Sequence, residues 1–198
     1  MKDLFFDPEA HRYYYQGSPV PCVSDILRPI DSLTMGNIPP YILEAAADRG
    51  TRVHEATMDY DMDVLDEDEV DEDIVPYIDA YKEFAAENPS LPTEFEEAYF
   101  SEVTGVAGTL DMVKRIDGEK AIIDKKTSKT LSRLRCIIQL NIYRVNYNAI
   151  HPESPVEALY ILQLKDTGEY HLIPIPIDED TAYKYIAYYK EIKEDTKL

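Results

Sequence analysis

Between Phe95 and Lys126 the chain carries three runs of strand-forming residues, Phe95 to Ser101, Val106 to Ile116 and Lys120 to Lys126, with Gly105 and Asp117-Gly118 at the turns between them. Links this short join neighbouring antiparallel strands, so the segment reads as a meander. Directly after it, Leu134, Ile138, Ile142 and Val145 recur every three or four residues, which predicts an amphipathic helix from about Ser132 to Asn148. His151-Pro152 ends that helix, and a strand from Val156 to Leu164 follows. With a helix also predicted upstream, the order helix, three strands, helix, strand describes a central mixed sheet flanked by helices, an α/β or α+β architecture.

The flanking segments fit around this centre. The opening LFFDPEAHRYYYQGSPVPCVSDIL alternates aromatic runs with turn residues, which predicts a hairpin with strands near Leu4 to Phe6 and Arg12 to Tyr15, then a short helix near Ser24 to Leu27. Pro39 and Pro40 suit a helix start, and the helix formers after them carry it from about residue 40 to 60, weakened but not ended by Gly50. Ile74, Ile78, Tyr81 and Ala85 mark another helix, stopped at Asn88-Pro89. Glu169 to Pro176 is a last strand, and a Tyr-rich helix from about Asp178 to Glu194 closes the chain.

A chain of 198 residues with 44% hydrophobic positions supports one core, so residues 1–198 are expected to form one domain with its core at about 40–165. No apolar run approaches the roughly 20 residues that span a bilayer. The N-terminus lacks the basic-then-apolar pattern of a signal peptide. The expectation is a soluble, cytoplasmic protein with no membrane partner. Cys22 and Cys136 alone supply neither a disulfide framework nor the four thiolates of an iron-sulfur cluster. The formal net charge of −19 opposes nucleic acid on average, but it is unevenly spread. Ten carboxylates lie between Asp59 and Asp73 with no Lys or Arg, a segment that reads as a solvated loop or frayed helix end. Lys114 to Arg144 holds nine basic residues against three acidic ones, which leaves room for a basic face.

Chemistry concentrates at a few polar positions inside the apolar elements. Asp111 interrupts the strand GVAGTLDMV, where a buried carboxylate requires a cation or donors. In AIIDKKTS, Asp124 and Lys126 share one strand face by period-two alternation. Arg135, Gln139 and Tyr143 follow at i, i+4 and i+8, on one helix face. Upstream, His54 sits in the helical stretch RGTRVHEA. Each feature alone has an ordinary structural explanation; their order together is specific.

In that order, His54, Gly108-Thr-Leu-Asp111, Asp124-Lys-Lys126 and Gln139-Leu-Asn-Ile-Tyr143, the chain resembles the PD-(D/E)XK nuclease superfamily, and within it the RecB-like branch found in phage exonucleases. The resemblance covers roughly residues 40 to 165 and implies a restriction-endonuclease-like core. The middle residue of the D-x-K motif is a second lysine, Lys125, and the family's strand glutamate falls on Glu96, with Glu97 its rival on the opposite strand face.

What the resemblance implies is a metal-dependent deoxyribonuclease that hydrolyses phosphodiester bonds in DNA, an exonuclease rather than an endonuclease, acting in phage recombination or replication. It implies that Asp111, Asp124, Glu96 and the backbone carbonyl of Lys125 hold Mg²⁺ or Mn²⁺, one ion or two, with His54 an additional ligand. Lys126 orients or deprotonates the attacking water and steadies phosphate charge, while Gln139 and Tyr143 position metal-bound groups or DNA. Lys129, Arg133 and Arg135 contact phosphates. A single-strand annealing protein or helicase partner and a homo-oligomer come from the same family context. The competing expectation is a catalytically silent nuclease fold or an acidic DNA mimic, motivated by residues 59 to 73.

Overall fold

The computed structural model describes residues 3–8, 10–35 and 38–195. Three short strands open the chain, β1 (Leu4–Asp7), β2 (Arg12–Tyr15) and β3 (Ser18–Val20), paired antiparallel in that order. The first two are the expected hairpin. The third has Pro19 at its centre and reads in sequence as a turn. Asp25 accepts a hydrogen bond from the Cys22 N–H at 3.1 Å at the start of α1 (Val23–Met35). This helix runs through Pro29, well past the short helix expected, because Ile26, Leu27 and Ile30 are buried in the core and tertiary packing outweighs the lost backbone bond.

Helix α2 (Pro40–Asp61) has proline in its first turn and passes Gly50 unbroken, as its composition predicts. Only Val53, Ala56 and Thr57 on it are buried. The acidic run after it is less loose than expected. Arg52 bonds Asp48, Asp71 and Asp73 at 2.8 to 3.0 Å, Lys82 pairs with Glu67 at 2.6 Å, and residues Glu67–Glu69 form a 3-10 turn. Two cations thus tie the run back to α2 and to α3 (Val75–Glu87).

The main sheet has five strands in sequence order: β4 (Glu94–Ser101), β5 (Val106–Ile116), β6 (Glu119–Lys126), β7 (Ala158–Leu164) and β8 (Tyr170–Pro174). β4, β5 and β6 are the expected antiparallel meander, turned at Asp117 and Gly118, both at positive φ. β6 and β7 are parallel, so the link between them must cross the sheet, and α4 (Arg133–Ile150) makes that crossing. The Ser132 hydroxyl accepts the Arg135 N–H at 3.4 Å to cap α4. β8 returns antiparallel to β7, and α5 (Glu179–Asp195) starts where Asp178 accepts the Thr181 N–H at 3.0 Å. The architecture is a mixed α+β fold, with the five-stranded sheet between helices and the three-stranded sheet at its N-terminal side.

Two cores cover the two faces of the large sheet. On one, Ile26 and Leu27 of α1, Ile138 and Ile142 of α4 and Ile186 of α5 pack with Val113, Ile122 and Ile161. On the other, Val53 of α2 and Tyr81 and Phe84 of α3 pack with Met112, Ile123 and Leu162. Adjacent Ile122 and Ile123 serve opposite cores, and that alternation sends Asp124 and Lys126 toward α4 and Lys125 toward α2 and α3. Among the described residues no helix is long and apolar enough to cross a membrane.

Candidate metal centre

Strands β4 and β5 break their regular geometry at one place. The ladder pairs Phe95 with Met112 and Glu97 with Leu110 but omits Glu96 and Asp111 between them. Glu96 has φ +47°, a left-handed conformation that costs an L-residue about 1–2 kcal/mol. Tyr99 and Leu110 lie in the α4-side core, whereas Phe95 and Met112 pack on the α3 side. Unbroken alternation would keep Tyr99 with Phe95 and Leu110 with Met112, so both strands change face at the gap. The Glu96 and Asp111 carboxylates emerge there together. Glu97, the rival in sequence, is exposed and takes no part.

His54 reaches this gap from α2. Its Nδ1 lies 3.2 Å from Glu96 Oε1 and 3.6 Å from Asp111 Oδ1, and its Nε2 lies 3.2 Å from the Lys125 carbonyl oxygen. One ligand atom each from His54, Glu96 and Asp111 falls within 4.8 Å of the others. Both ring nitrogens therefore face acceptors. A neutral imidazole has one N–H, so one of its contacts opposes lone pair to lone pair, and only an added proton or a metal ion resolves it. Burial disfavours charge on His54, but the Asp111 and Glu96 carboxylates outweigh it and raise the imidazole above its ordinary value. Burial likewise works against the Glu96 charge, and His54 and Lys125 reverse it, holding the carboxyl below the usual glutamate range.

The backbone N–H of Lys125 donates to Asp111 Oδ2 at 2.6 Å, which supplies the donor that a carboxylate 8% exposed requires. The Lys125 side chain, expected to matter only through its backbone, is itself buried. Its Nζ donates to Thr57 Oγ1 at 2.9 Å and lies 3.5 Å from Glu96. Thr57 was not singled out from sequence, although it stands three residues after His54 and so shares its side of α2.

On the α4 side, Asp124 is 1% exposed. Its Oδ1 accepts from Gln139 Nε2 at 2.8 Å, and its Oδ2 lies 2.5 Å from Lys126 Nζ but has no partner of hydrogen-bond geometry. Burial pushes the Asp124 carboxyl up, with Asp111 adding to the rise and Lys126 opposing it. Burial disfavours the Lys126 ammonium, yet Asp124 and Asp111 together hold it above the ordinary lysine value. The predicted helix face is realised as a relay: Arg135 Nη1 donates to Gln139 Oε1 at 3.0 Å, and Gln139 Nε2 is 3.4 Å from the Tyr143 hydroxyl. Asp31, which carried no sequence signal, holds Arg135 Nε at 2.7 Å. Tyr143 lies over Gly108, where an added Cβ would come within 3.0 Å of its Cε1 and 3.1 Å of Val23 Cγ2. Close approach of the tyrosine thus explains the glycine three residues before Asp111.

The basic stretch does not form one face. Lys114 is buried over Phe84, Lys120 bonds Tyr147 and Ser154, and Arg144 is engaged with the Val156 carbonyl and Glu179. Charges adjacent in sequence are dispersed because strand alternation and the helix turn them in different directions. Of the three residues assigned to phosphate, Arg133 is exposed, Lys129 is exposed and pairs with Asp166 at 2.7 Å, and Arg135 is half-buried against Asp31 and Gln139.

The donor set fits a hard divalent cation: two carboxylates, a backbone carbonyl and one imidazole, with the buried Asp124 Oδ2 lacking a hydrogen bond on the neighbouring side. No family model matches the sequence, and no curated protein matches it. The crystal structure of SSO0001 aligns with 59% of this chain and 57% of its own length, at 19% identity and a TM-score of 0.38, a likeness too slight to bear on function.

Proposed function

We propose that the protein is a divalent-metal-dependent DNA nuclease of the PD-(D/E)XK superfamily, RecB-like branch, and that it acts as an exonuclease. The observation that carries the reading is His54, whose two ring nitrogens face two carboxylates and a carbonyl, an arrangement that a cation completes. Support comes from the second half of the site, where a buried carboxylate, an ammonium and a glutamine amide stand next to that cluster.

His54, Glu96, Asp111 and the Lys125 carbonyl would hold Mg²⁺ or Mn²⁺, which supplies Lewis-acid polarisation of a phosphoryl oxygen. Lys125 N–H fixes Asp111, and Gln139 fixes Asp124, so neither carboxylate needs to reorganise as the reaction proceeds. Lys126 keeps its proton beside Asp124, with the Asp111 charge adding to the hold, and its own charge suits it to steady the negative charge that grows on the scissile phosphate. Arg135 acts through Gln139 as a positioning residue, while the exposed Arg133 and Lys129 would meet the backbone of the DNA. The setting we infer is the cytoplasm of a bacterium or phage-infected cell, in recombination or replication, with an annealing protein or helicase and self-association as further partners.

The test is degradation of end-labelled linear and closed-circular DNA by wild type and Lys126→Ala with Mg²⁺, Mn²⁺ or EDTA. Ion-dependent loss of linear DNA alone, absent in the variant, is expected, and the position of the label gives polarity. A folded Lys126→Ala protein that cuts as fast as wild type would show the site to be misassigned.

A further inference from the structure

An open groove of about 500 Å³ runs between the N-terminal sheet and α2. Phe6, His11 and Tyr13 line one side, and Gly50, Thr51 and His54 line the other. His54 and Glu96 belong both to the groove and to the carboxylate cluster, so whatever occupies the groove is delivered to the candidate metal centre.

The aromatic side is pre-organised. The Phe6 ring centroid lies 4.6 Å from that of Tyr13 and 5.4 Å from that of His11, and the Tyr13 hydroxyl shares a 2.7 Å hydrogen bond with Thr109, two residues before Asp111. The opposite side is opened by the small residues Ala47, Gly50 and Thr51 of α2, with Glu55 and Met58 completing that wall. At Gly50 an added Cβ would meet nothing within 4 Å, although glycine inside a helix is unfavourable by about 0.5–1 kcal/mol relative to alanine. The lining contains two carboxylates, Glu55 and Glu96, and neither Lys nor Arg, so it repels a phosphate backbone. Flat rings facing small residues suit a base, and the volume falls in the range of roughly 300–1,000 Å³ typical of pockets for one small ligand. There is room for an unpaired base and not for a base-paired duplex.

We infer that this groove binds an unpaired nucleobase of the strand being cut, stacked on Phe6 with the buried Tyr13 ring supporting Phe6 from behind, and that single-stranded DNA is the preferred substrate. The inference deepens the nuclease reading and rests on it. The N-terminal sheet is then a substrate-binding element, which gives its aromatic content a use beyond packing.

The experiment compares wild type, Gly50→Leu and Phe6→Ala on a labelled single-stranded oligonucleotide, on the same oligonucleotide carrying one abasic site, and on blunt duplex DNA. Binding is measured with Ca²⁺ and cleavage with Mn²⁺, and the Mn²⁺-induced rise in melting temperature is recorded for each protein. Gly50→Leu fills the groove and suits the helix; Phe6→Ala empties the stacking wall. Expected are a loss of about 10-fold or more in single-strand affinity for both variants, as for removal of a base-stacking ring, an unchanged Mn²⁺ shift, and no further loss for Phe6→Ala once the stacked base is abasic. If wild type cuts DNA and both variants bind and cut single strands as it does, the groove assignment is overturned while the nuclease reading stands. If wild type cuts nothing with Mn²⁺ but binds the oligonucleotide in a Gly50- and Phe6-dependent way, the groove stands as a base-binding site and the nuclease reading falls. Neither binding nor cleavage overturns both.

Discussion

The two sides of the candidate centre solve the problem of buried charge differently. Toward α4, one carboxylate, Asp124, faces one ammonium, Lys126, and the Arg135 guanidinium beyond them is matched by Asp31. Toward α2 there are two carboxylates, Glu96, 3.5 Å from the Lys125 ammonium, and Asp111, which takes the Lys125 backbone N–H, and the raised His54 value registers the excess negative charge. One side is electrically complete as folded; the other is one positive charge short. A single cation placed at His54, Glu96 and Asp111 evens the account, so the side that looks less well paired is the one built for a ligand.

The largest test of this contrast is Lys126→Met, which strips the complete side of its cation. Asp124 would then be buried without a counter-ion, a change that costs about 3 kcal/mol, the lower end of the range for a broken buried pair because Lys126 keeps some solvent contact. Urea denaturation without divalent ions measures it, and cleavage falls by about 100-fold or more alongside. Asp111→Asn acts on the incomplete side. It should leave the ion-free protein close to wild type and abolish stabilisation by Mn²⁺, which for wild type reaches about 2.7 kcal/mol at a hundred times the dissociation constant. A thermal melt in which Asp111→Asn still gains stability from Mn²⁺ would move the ion away from this cluster.

Much of this contrast is legible in sequence, and the remainder is hidden for identifiable reasons. Helical spacing at Leu134 to Val145 and alternation through Ile122 to Lys126 are local signals, so the order of elements and the shared face of Asp124 and Lys126 follow from them. The change of face at Glu96 and Asp111 depends on a left-handed glutamate, which no residue pattern announces. Alternation alone assumes regular strands, and the site exists because two strands are irregular at the same level. Asp31 and Thr57 are equally silent, since each acts through one long-range hydrogen bond. The sequence +6 between Lys114 and Arg144 misleads because it counts charge along a chain that folds those side chains apart. Gly108 has a readable cause once Tyr143 is placed over it. Gly108→Ala should cost about 2 kcal/mol through overpacking against Tyr143 and Val23, measured by denaturant unfolding. A neutral result would mean that the tyrosine yields freely and does not hold the α4 side in register.

The smallest effect separates the two occupants that satisfy His54. Its folded-state pKa is raised above the ordinary 6.5 by Asp111 and Glu96, against the opposing pull of burial. Without divalent ions the imidazolium therefore contributes stability that is full below 6.5 and is lost as pH rises through the folded-state value. A metal ion requires the neutral ring, so its contribution has the opposite sign, weakening by about 1.4 kcal/mol for each pH unit below the folded-state value. Melting temperatures recorded from below pH 6.5 upward should converge at low pH with and without Mn²⁺ and separate as pH increases. In His54→Gln the separation should lose this pH dependence, because nothing at the position titrates. Parallel curves for wild type would mean that proton and ion do not compete for the same nitrogen, and the excess charge on the α2 side would then need another explanation.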